Sequence, residues 1–211
     1  MEIVARQFYQ RSSLELAPEL LGLYLVHNLD GIELIGKIVE VEAYMGVNDK
    51  AAHTFNNRRT RRNEVMFGEA GYAYIYLIYG MYYCLNVVSS TKDNPQGVLF
   101  RAVEPVKGFD EIAKNRFNLP YNQLSKQQQY NLTSGPGKLC QAFNITKANY
   151  GNDFTNSNLL ICSNNDDNDF KIASSPRVNV DYAEEAKDYP WRFYIEGNPY
   201  VSKVKFKQTD S

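Results

Sequence analysis

Residues 32–44 read IELIGKIVEVEAY, a long proline-free run of β-branched and apolar residues that alternates through its second half. Before it stand LYLVHN (23–28) and the turn Leu29-Asp30-Gly31. An Asp-Gly pair between two strand-like runs is a strong short-range hairpin signal, because both central residues tolerate positive φ. A strand of this length calls for an antiparallel sheet. Its alternation places Lys37, Val39, Val41 and Ala43 on one face and Ile38, Glu40, Glu42 and Tyr44 on the other. Two readings of the carboxylates stay open. The strand can be an edge with its polar face in water. Alternatively, Glu40 and Glu42 disfavour each other's ionisation, one holding a raised pKa while the other stays a base, with the Tyr44 ring placed to hold a flat substrate.

Working outward, residues 72–90 read YAYIYLIYGMYYCLNVVSS, a second hairpin with Gly80 near its tip, followed by the strand GVLFRAVEP (97–105). The chain holds 16 Tyr and 11 Phe, yet Tyr72, Tyr74, Tyr76, Tyr79, Tyr82 and Tyr83 crowd into this one segment. Cross-strand aromatic pairing accounts for Tyr72, Tyr74 and Tyr83. Tyr79 breaks the alternation beside Gly80. A ring at an exposed tip suits stacking on bases, at roughly 1–3 kcal/mol per base, or wedging into a minor groove. Ser12-Ser13 cap a short helix over LELAPELLG, and residues 106–117, 122–130 and the stretch TSGPGKLCQAF (133–143) carry helical patterns. Residues 45–70 are polar and irregular, with a helical turn expected at Asn48–His53. NNDDNDF (164–170) reads as a solvated loop, and RFYIEGNPYVSKVKF (192–206) as a closing hairpin. The sum is an α+β fold, an antiparallel sheet with helices segregated around it.

The chain has 211 residues without a linker or repeat and is expected to be one domain over 1–211. At 44% hydrophobic and 22% charged it has globular composition. No apolar run is long enough for a membrane span or signal peptide, so a cytoplasmic, monomeric protein is expected. Cys84, Cys140 and Cys162 are scattered and, with only His27 and His53, offer no metal-ligand spacing, so neither metal nor cofactor is expected. The net charge is −1, but residues 53–147 are net +6 against −7 elsewhere. That asymmetry suits one basic face for a polyanion, although chance clustering on a solvated surface gives the same pattern. Within the basic stretch Arg58, Arg59, Arg61 and Arg62 form a run suited to non-specific phosphate contact. Thr133–Lys138 places Lys138 beside a helix start, readable as a phosphate site or as simple capping.

Five stretches, VEVEAYMGVNDKAAHTF (39–55), NEVMFGEAGYAYIYLIYGMYYCLNV (63–87), GVLFRAVEPVKG (97–108), SGPGKLCQAF (134–143) and RVNVDYAEEAKDYPWRFYIEGNPYVS (177–202), resemble in order and spacing the alkyladenine (3-methyladenine) DNA glycosylase family in its small bacterial form. The resemblance spans most of residues 5–203 and is weakest over 108–130 and 150–172. It implies a curved antiparallel sheet with a protruding hairpin, and a monofunctional enzyme of base excision repair. Such an enzyme flips an alkylated or deaminated purine from double-stranded DNA and hydrolyses its glycosidic bond, leaving an abasic site. The E-A-Y motif makes Glu42 the residue that activates water, and Glu40 inherits no catalytic role. Tyr44 and Tyr76 would stack on the two faces of the base, with His53 at the pocket edge. Asn86 would crowd the exocyclic amine of guanine, and Arg101 would anchor near the flipped nucleotide and its phosphate. Tyr79 would fill the gap in the duplex, supported by Met81 and Tyr82 in the minor groove. No lysine stands in a Schiff-base motif, and no donor is identified for a neutral leaving purine. Two other classes remain readable: a non-catalytic nucleic-acid-binding protein, and a carbohydrate hydrolase using Glu40 and Glu42.

Overall fold

The computed structural model describes residues 1–164 and 169–203. Within them the elements run β1 (Glu2–Ile3), α1 (Ser13–Leu20), β2 (Tyr24–Leu29), β3 (Ile32–Tyr44), β4 (Ala73–Ile78), β5 (Tyr82–Ser89) and β6 (Gln96–Lys107). They continue through α2 (Phe109–Phe117), α3 (Lys126–Tyr130), α4 (Pro136–Ala142), β7 (Leu159–Ser163), β8 (Ile172–Ser175) and β9 (Arg192–Ile195). The sheet order is β1-β7-β2-β3-β6-β5-β4, with β9 joining β3 to β8, and the pairings are antiparallel.

The strand read first is the one on which the rest is assembled. One edge of β3 pairs with β6 from Ile35 to Tyr44. The opposite edge pairs with β2 over Ile32–Lys37 and then with β9 over Glu40–Glu42. β3 therefore has no solvent edge along its functional half, and the expectation of a polar face in water fails: Glu40 and Glu42 are both fully buried. The cause is β9, a partner some 150 residues downstream whose pairing leaves no local trace in the alternation.

Both hairpins form where their turns predict. Asp30 and Gly31 have φ of 45° and 90°, the positive pair that a type I′ turn requires. Tyr79 and Gly80 repeat this with 53° and 70°, closed by the Met81 N–H donating to the Ile78 carbonyl at 3.2 Å. Glycine accepts such a φ freely, whereas a bulky aromatic does so only under strain. α1 starts at a capping box in which Ser12 and Glu15 satisfy each other's backbone N–H groups. α3 does the same with Ser125 and Gln128, later than the helix read from residue 122, since Tyr121–Gln123 form a separate 3₁₀ turn. α2 begins at Phe109 rather than 106 because β6 continues to Lys107, opposite Ile35. The turn expected at Asn48–His53 is a 3₁₀ turn at Gly46–Asn48.

The closing hairpin is corrected. β9 pairs backward with β8, Ile195 opposite Ile172, and the chain after Gly197 makes turns to Ser202 instead of a return strand; Val204–Phe206 lie outside the described residues. Inside the sheet, Leu25, Ile38, Leu85 and Phe100 pack with Leu16 and Leu20 of α1 and Leu139 of α4. Each such side chain contributes about 1.5–3 kcal/mol by leaving water, which makes the sheet a rigid platform for what it carries.

Candidate active site

Strand register sets the site. Tyr74 lies opposite Asn86, Asn86 opposite Leu99, Leu99 opposite Glu42, and Glu42 opposite Arg192. Directly opposed residues share a face, so these five side chains form one row across β4, β5, β6, β3 and β9. In the next row Tyr44 faces Gly97, and Gly97 faces Val88. The missing side chain at Gly97 makes room for Met66, whose Cε would lie 3.0 Å from a Cβ there, and both residues line the space beside Tyr44. On the other side of the Glu42 row the β3–β6 register slips after Ile38, which leaves Val39 extra on β3, and again after Glu40, which leaves Arg101 extra on β6. A bulge re-aims its side chain, and here the Arg101 guanidinium reaches both carboxylates: Nε to Glu40 at 2.7 Å and Nη1 to Glu42 at 3.2 Å.

The two glutamates have different surroundings. Glu40 Oε1 accepts from Arg101 Nε, Arg192 Nε and Ser202 Oγ, each at 2.7 Å, and Oε2 accepts from the Ser202 N–H at 2.7 Å. Burial pushes its carboxyl upward, but Arg101, Arg192 and the Ser202 donors outweigh that and hold its pKa below the ordinary value. A carboxylate so held is a fixed anion. The reading in which one of the pair is a raised-pKa acid is thereby overturned for Glu40, whose lone pairs are committed to orienting two arginines. Glu42 takes the Val178 N–H at 2.7 Å on Oε1 and the Tyr44 hydroxyl at 2.9 Å on Oε2. Burial lowers Arg101's affinity for its proton, but the charges of Glu42 and Glu40 raise it further, so Arg101 remains a cation.

Beside Tyr44 opens a pocket of about 430 Å³, partly continuous with solvent, walled by Tyr44, His53, Tyr74, Tyr76, Asn86 and Tyr182. His53 meets the Tyr76 ring edge-on at 4.6 Å between centroids and hydrogen-bonds the Tyr74 hydroxyl through Nδ1 at 2.8 Å. One edge of His53 meets solvent. Desolvation by the packed rings, then the charges of Arg62 and Arg58, lower its pKa, so it is neutral at pH 7. Asn86 donates Nδ2 to the Tyr74 carbonyl at 3.1 Å, which fixes its amide at the pocket wall. The Arg177 guanidinium, which is not among the pocket-lining residues, stacks 4.7 Å from the Tyr44 ring centroid and forks onto Asp49. Arg177 and Asp49 thus brace the Tyr44 ring. Among the described residues no three His, Cys, Asp or Glu side chains converge as metal ligands would.

A family model described as methylpurine-DNA glycosylase (MPG) matches residues 7–199. The chain belongs to the methylpurine-DNA glycosylase family. It is 52% identical over 203 residues to a protein of Clostridium novyi named for 3-methyladenine DNA glycosylase, covering 96% of this chain and 100% of that relative. Similarly named proteins of Alkaliphilus oremlandii and Bacillus cereus are 52% and 53% identical over 94% and 93% of this chain, covering 98% and 97% of their own lengths. Family membership makes the chain a DNA glycosylase, a hydrolase of DNA repair, and sets aside the carbohydrate hydrolase and the non-catalytic binding protein.

Around the glycosylase pocket the remaining sequence-predicted residues separate. At the hairpin tip Tyr79 is 72% and Met81 65% exposed. Tyr82 is exposed at 44%, yet its base rests on α4: a Cβ on Gly137 would come within 3.0 Å of Tyr82 Cβ. Arg59 is committed to Glu64 through Nε and Nη2, with Asp93 at 3.5 Å, so its charge is neutralised within the protein. Arg62 donates to the Leu77 carbonyl at 2.8 Å and, with Arg58, lines a cleft adjoining the pocket. Arg61 lines another cleft with Lys147. Lys138 donates to Asn131 Oδ1, and burial followed by Arg116 lowers its pKa. Glu42 and Arg101 are not among the lining residues: Glu42 sits at the hydroxyl end of the Tyr44 ring, and the Arg101 side chain is only 7% exposed. Sequence reasoning missed Asp49, Arg177, the Val178 N–H, Tyr182 and Arg192. All but Asp49 fall in RVNVDYAEEAKDYPWRFYIEGNPYVS, whose family match was visible without a role for any one residue.

Proposed function

We propose that this glycosylase extrudes an alkylated or deaminated purine from duplex DNA into the Tyr44–Tyr76 pocket. There it hydrolyses the N-glycosidic bond with water activated by Glu42. The observation that carries the reading is a buried carboxylate hydrogen-bonded to the very ring, Tyr44, that walls an aromatic slot. An alkylated purine is a flat cation and a good leaving group, and electron-rich rings favour it. As the glycosidic bond lengthens, positive charge grows on the sugar. A carboxylate held in place before that charge develops stabilises it and can take the proton of the attacking water. Arg101, fixed by Glu40, would then act as a positioning residue for Glu42.

Hydrolysis without strand cleavage is supported by the pairing of Lys50, the lysine in the cleft that adjoins the pocket. Lys50 lines the adjoining cleft but is paired with Glu184 and Glu185 at 2.6 and 2.8 Å, which raises its pKa and keeps it from acting as an amine nucleophile. The reaction would end at an abasic site. A panel of duplexes, each with one defined purine lesion and scored for free base and abasic site, tests this; release from none of them would sink it.

The strained tip gives a second expectation. A tyrosine held at positive φ with 72% of its surface in water suits filling the space left by an extruded base. Tyr79→Ala should weaken binding to a lesion-bearing duplex by roughly ten-fold, the loss of about one aromatic stacking contact, and leave single-strand binding unchanged. Equal losses on both substrates would remove the wedge role. Asn86, held against Tyr74, reaches the pocket where a guanine amine would lie. Asn86→Ser should raise release of normal guanine from undamaged DNA by roughly ten-fold or more, the scale of steric discrimination in a pocket; no gain would refute the filter.

A further inference from the structure

The segment 177–182 touches the site three times. Arg177 stacks on Tyr44, the Val178 N–H binds Glu42, and Tyr182 lines the pocket mouth. The first two contacts have clear work in holding the slot and the carboxylate. Tyr182 is different, because it is 67% exposed and yet tethered through its hydroxyl. Its hydroxyl donates to the Ala51 carbonyl at 3.2 Å, and its neighbours Val180 and Ala183 are buried with Ala51 and Ala186 in a small satellite core. A fixed aromatic face turned to water, at the entrance of a substrate pocket, has an apolar surface without an internal partner.

What passes that entrance follows from the two cavities that share it. The pocket beside Tyr44 and the adjoining cleft have Ala52, His53, Tyr74 and Tyr182 in common. Beyond this shared wall the cleft is cationic and polar, with Arg58, Arg62, Thr60 and Asn63. An extruded nucleotide is a flat base and a phosphate joined through a sugar, a few ångströms across. With the base against Tyr44 and Tyr76 and a phosphate in the cationic cleft, the deoxyribose crosses the shared wall. We infer that Tyr182 is a substrate-contacting residue of this glycosylase, packing its exposed ring against the deoxyribose of the extruded nucleotide. This rests on the base-extrusion reading above. It assigns the pocket mouth to the sugar, so recognition there is independent of which base is damaged.

A duplex carrying a tetrahydrofuran abasic analogue presents the sugar ring without a base and separates this contact from base stacking. Binding of the full chain is measured on that duplex, on one carrying hypoxanthine and on an undamaged one. Tyr182→Ala should weaken the first two alike, by about ten-fold, the loss of one aromatic contact, and leave the undamaged duplex unchanged. Tyr182→Phe should retain binding within about two-fold, since the ring and not the hydroxyl makes the contact. Tyr182→Leu, which keeps apolar bulk at the position but has no flat ring, should lose as much as Tyr182→Ala and guards against a folding defect. Unchanged binding of Tyr182→Ala to the abasic analogue, or equal loss on undamaged DNA, overturns the inference. A wild-type chain that binds all three duplexes alike refutes base extrusion itself; one that prefers the first two while Tyr182→Ala keeps that preference refutes only the sugar contact.

Discussion

Glu42→Gln should slow base release from a lesion-bearing duplex by about two to four orders of magnitude, the usual contribution of a positioned general base, while lesion binding persists. The substitution keeps the shape and one oxygen, so the effect isolates charge and basicity. The amide oxygen can still accept the Val178 N–H and the Arg101 Nη1 that Glu42 Oε1 now faces. The new NH₂ would meet the Tyr44 hydroxyl, which can turn its oxygen to accept where it now donates. Arg101 keeps Glu40 as a counter-ion but shares it with Arg192, so the buried cluster becomes net positive, and the stability loss should be about 1–3 kcal/mol. Single-turnover release and thermal melting measure the two quantities separately. Wild-type release from the variant would end the assignment of Glu42. A collapse in melting with a matching loss of binding would show that Glu42 acts in folding and not in chemistry.

That contrast with Glu40 shows where sequence reasoning reached and where it stopped. Local chemistry was legible: Asp30-Gly31 specifies its turn by residue type, Gly80 marks the second, and the Ser12 and Ser125 caps need only the residue three positions on. The existence of β3 was legible for the same reason. Its environment was not, because burial of Glu40 and Glu42 depends on β9 closing the second edge and on Arg101 being thrown onto their face by a register slip. Alternation assumes an unbroken ladder, and a bulge in either partner breaks that assumption. The site divides likewise. Tyr44, His53, Tyr76 and Asn86 lie in or beside motifs with a family pattern, and the pocket brings them together. Val178 acts through a backbone N–H, which no side-chain pattern encodes. Arg177 and Asp49 meet across 128 positions of sequence, a distance over which charge pairing cannot be read from one chain.

The Arg177–Asp49 pair should carry the largest single stability effect in the protein. Arg177→Leu is expected to cost about 3–5 kcal/mol, because it leaves an uncompensated buried charge rather than an empty surface position. Both side chains are fully buried. The guanidinium also donates to the carbonyls of Ala43 at 2.9 Å and Ala186 at 3.1 Å, both of which would lose a partner. Leucine would regain some apolar contact with Tyr44 and Trp191, between which Arg177 now stacks. Burial of one such side chain offsets at most about 1.5–3 kcal/mol. Two orphaned carbonyls at about 1–3 kcal/mol each already match that gain, so the unpaired Asp49 decides the sign. Asp49 also accepts from the Met45 and Ala51 N–H groups, which tie the segment leading to His53. Its relaxation would loosen the pocket wall as well as the brace on Tyr44. For a chain of this size the melting temperature should fall by about 6–20 °C. A drop equivalent to less than about 1 kcal/mol would place the pair among the weak surface ion pairs and remove it as the support of Tyr44.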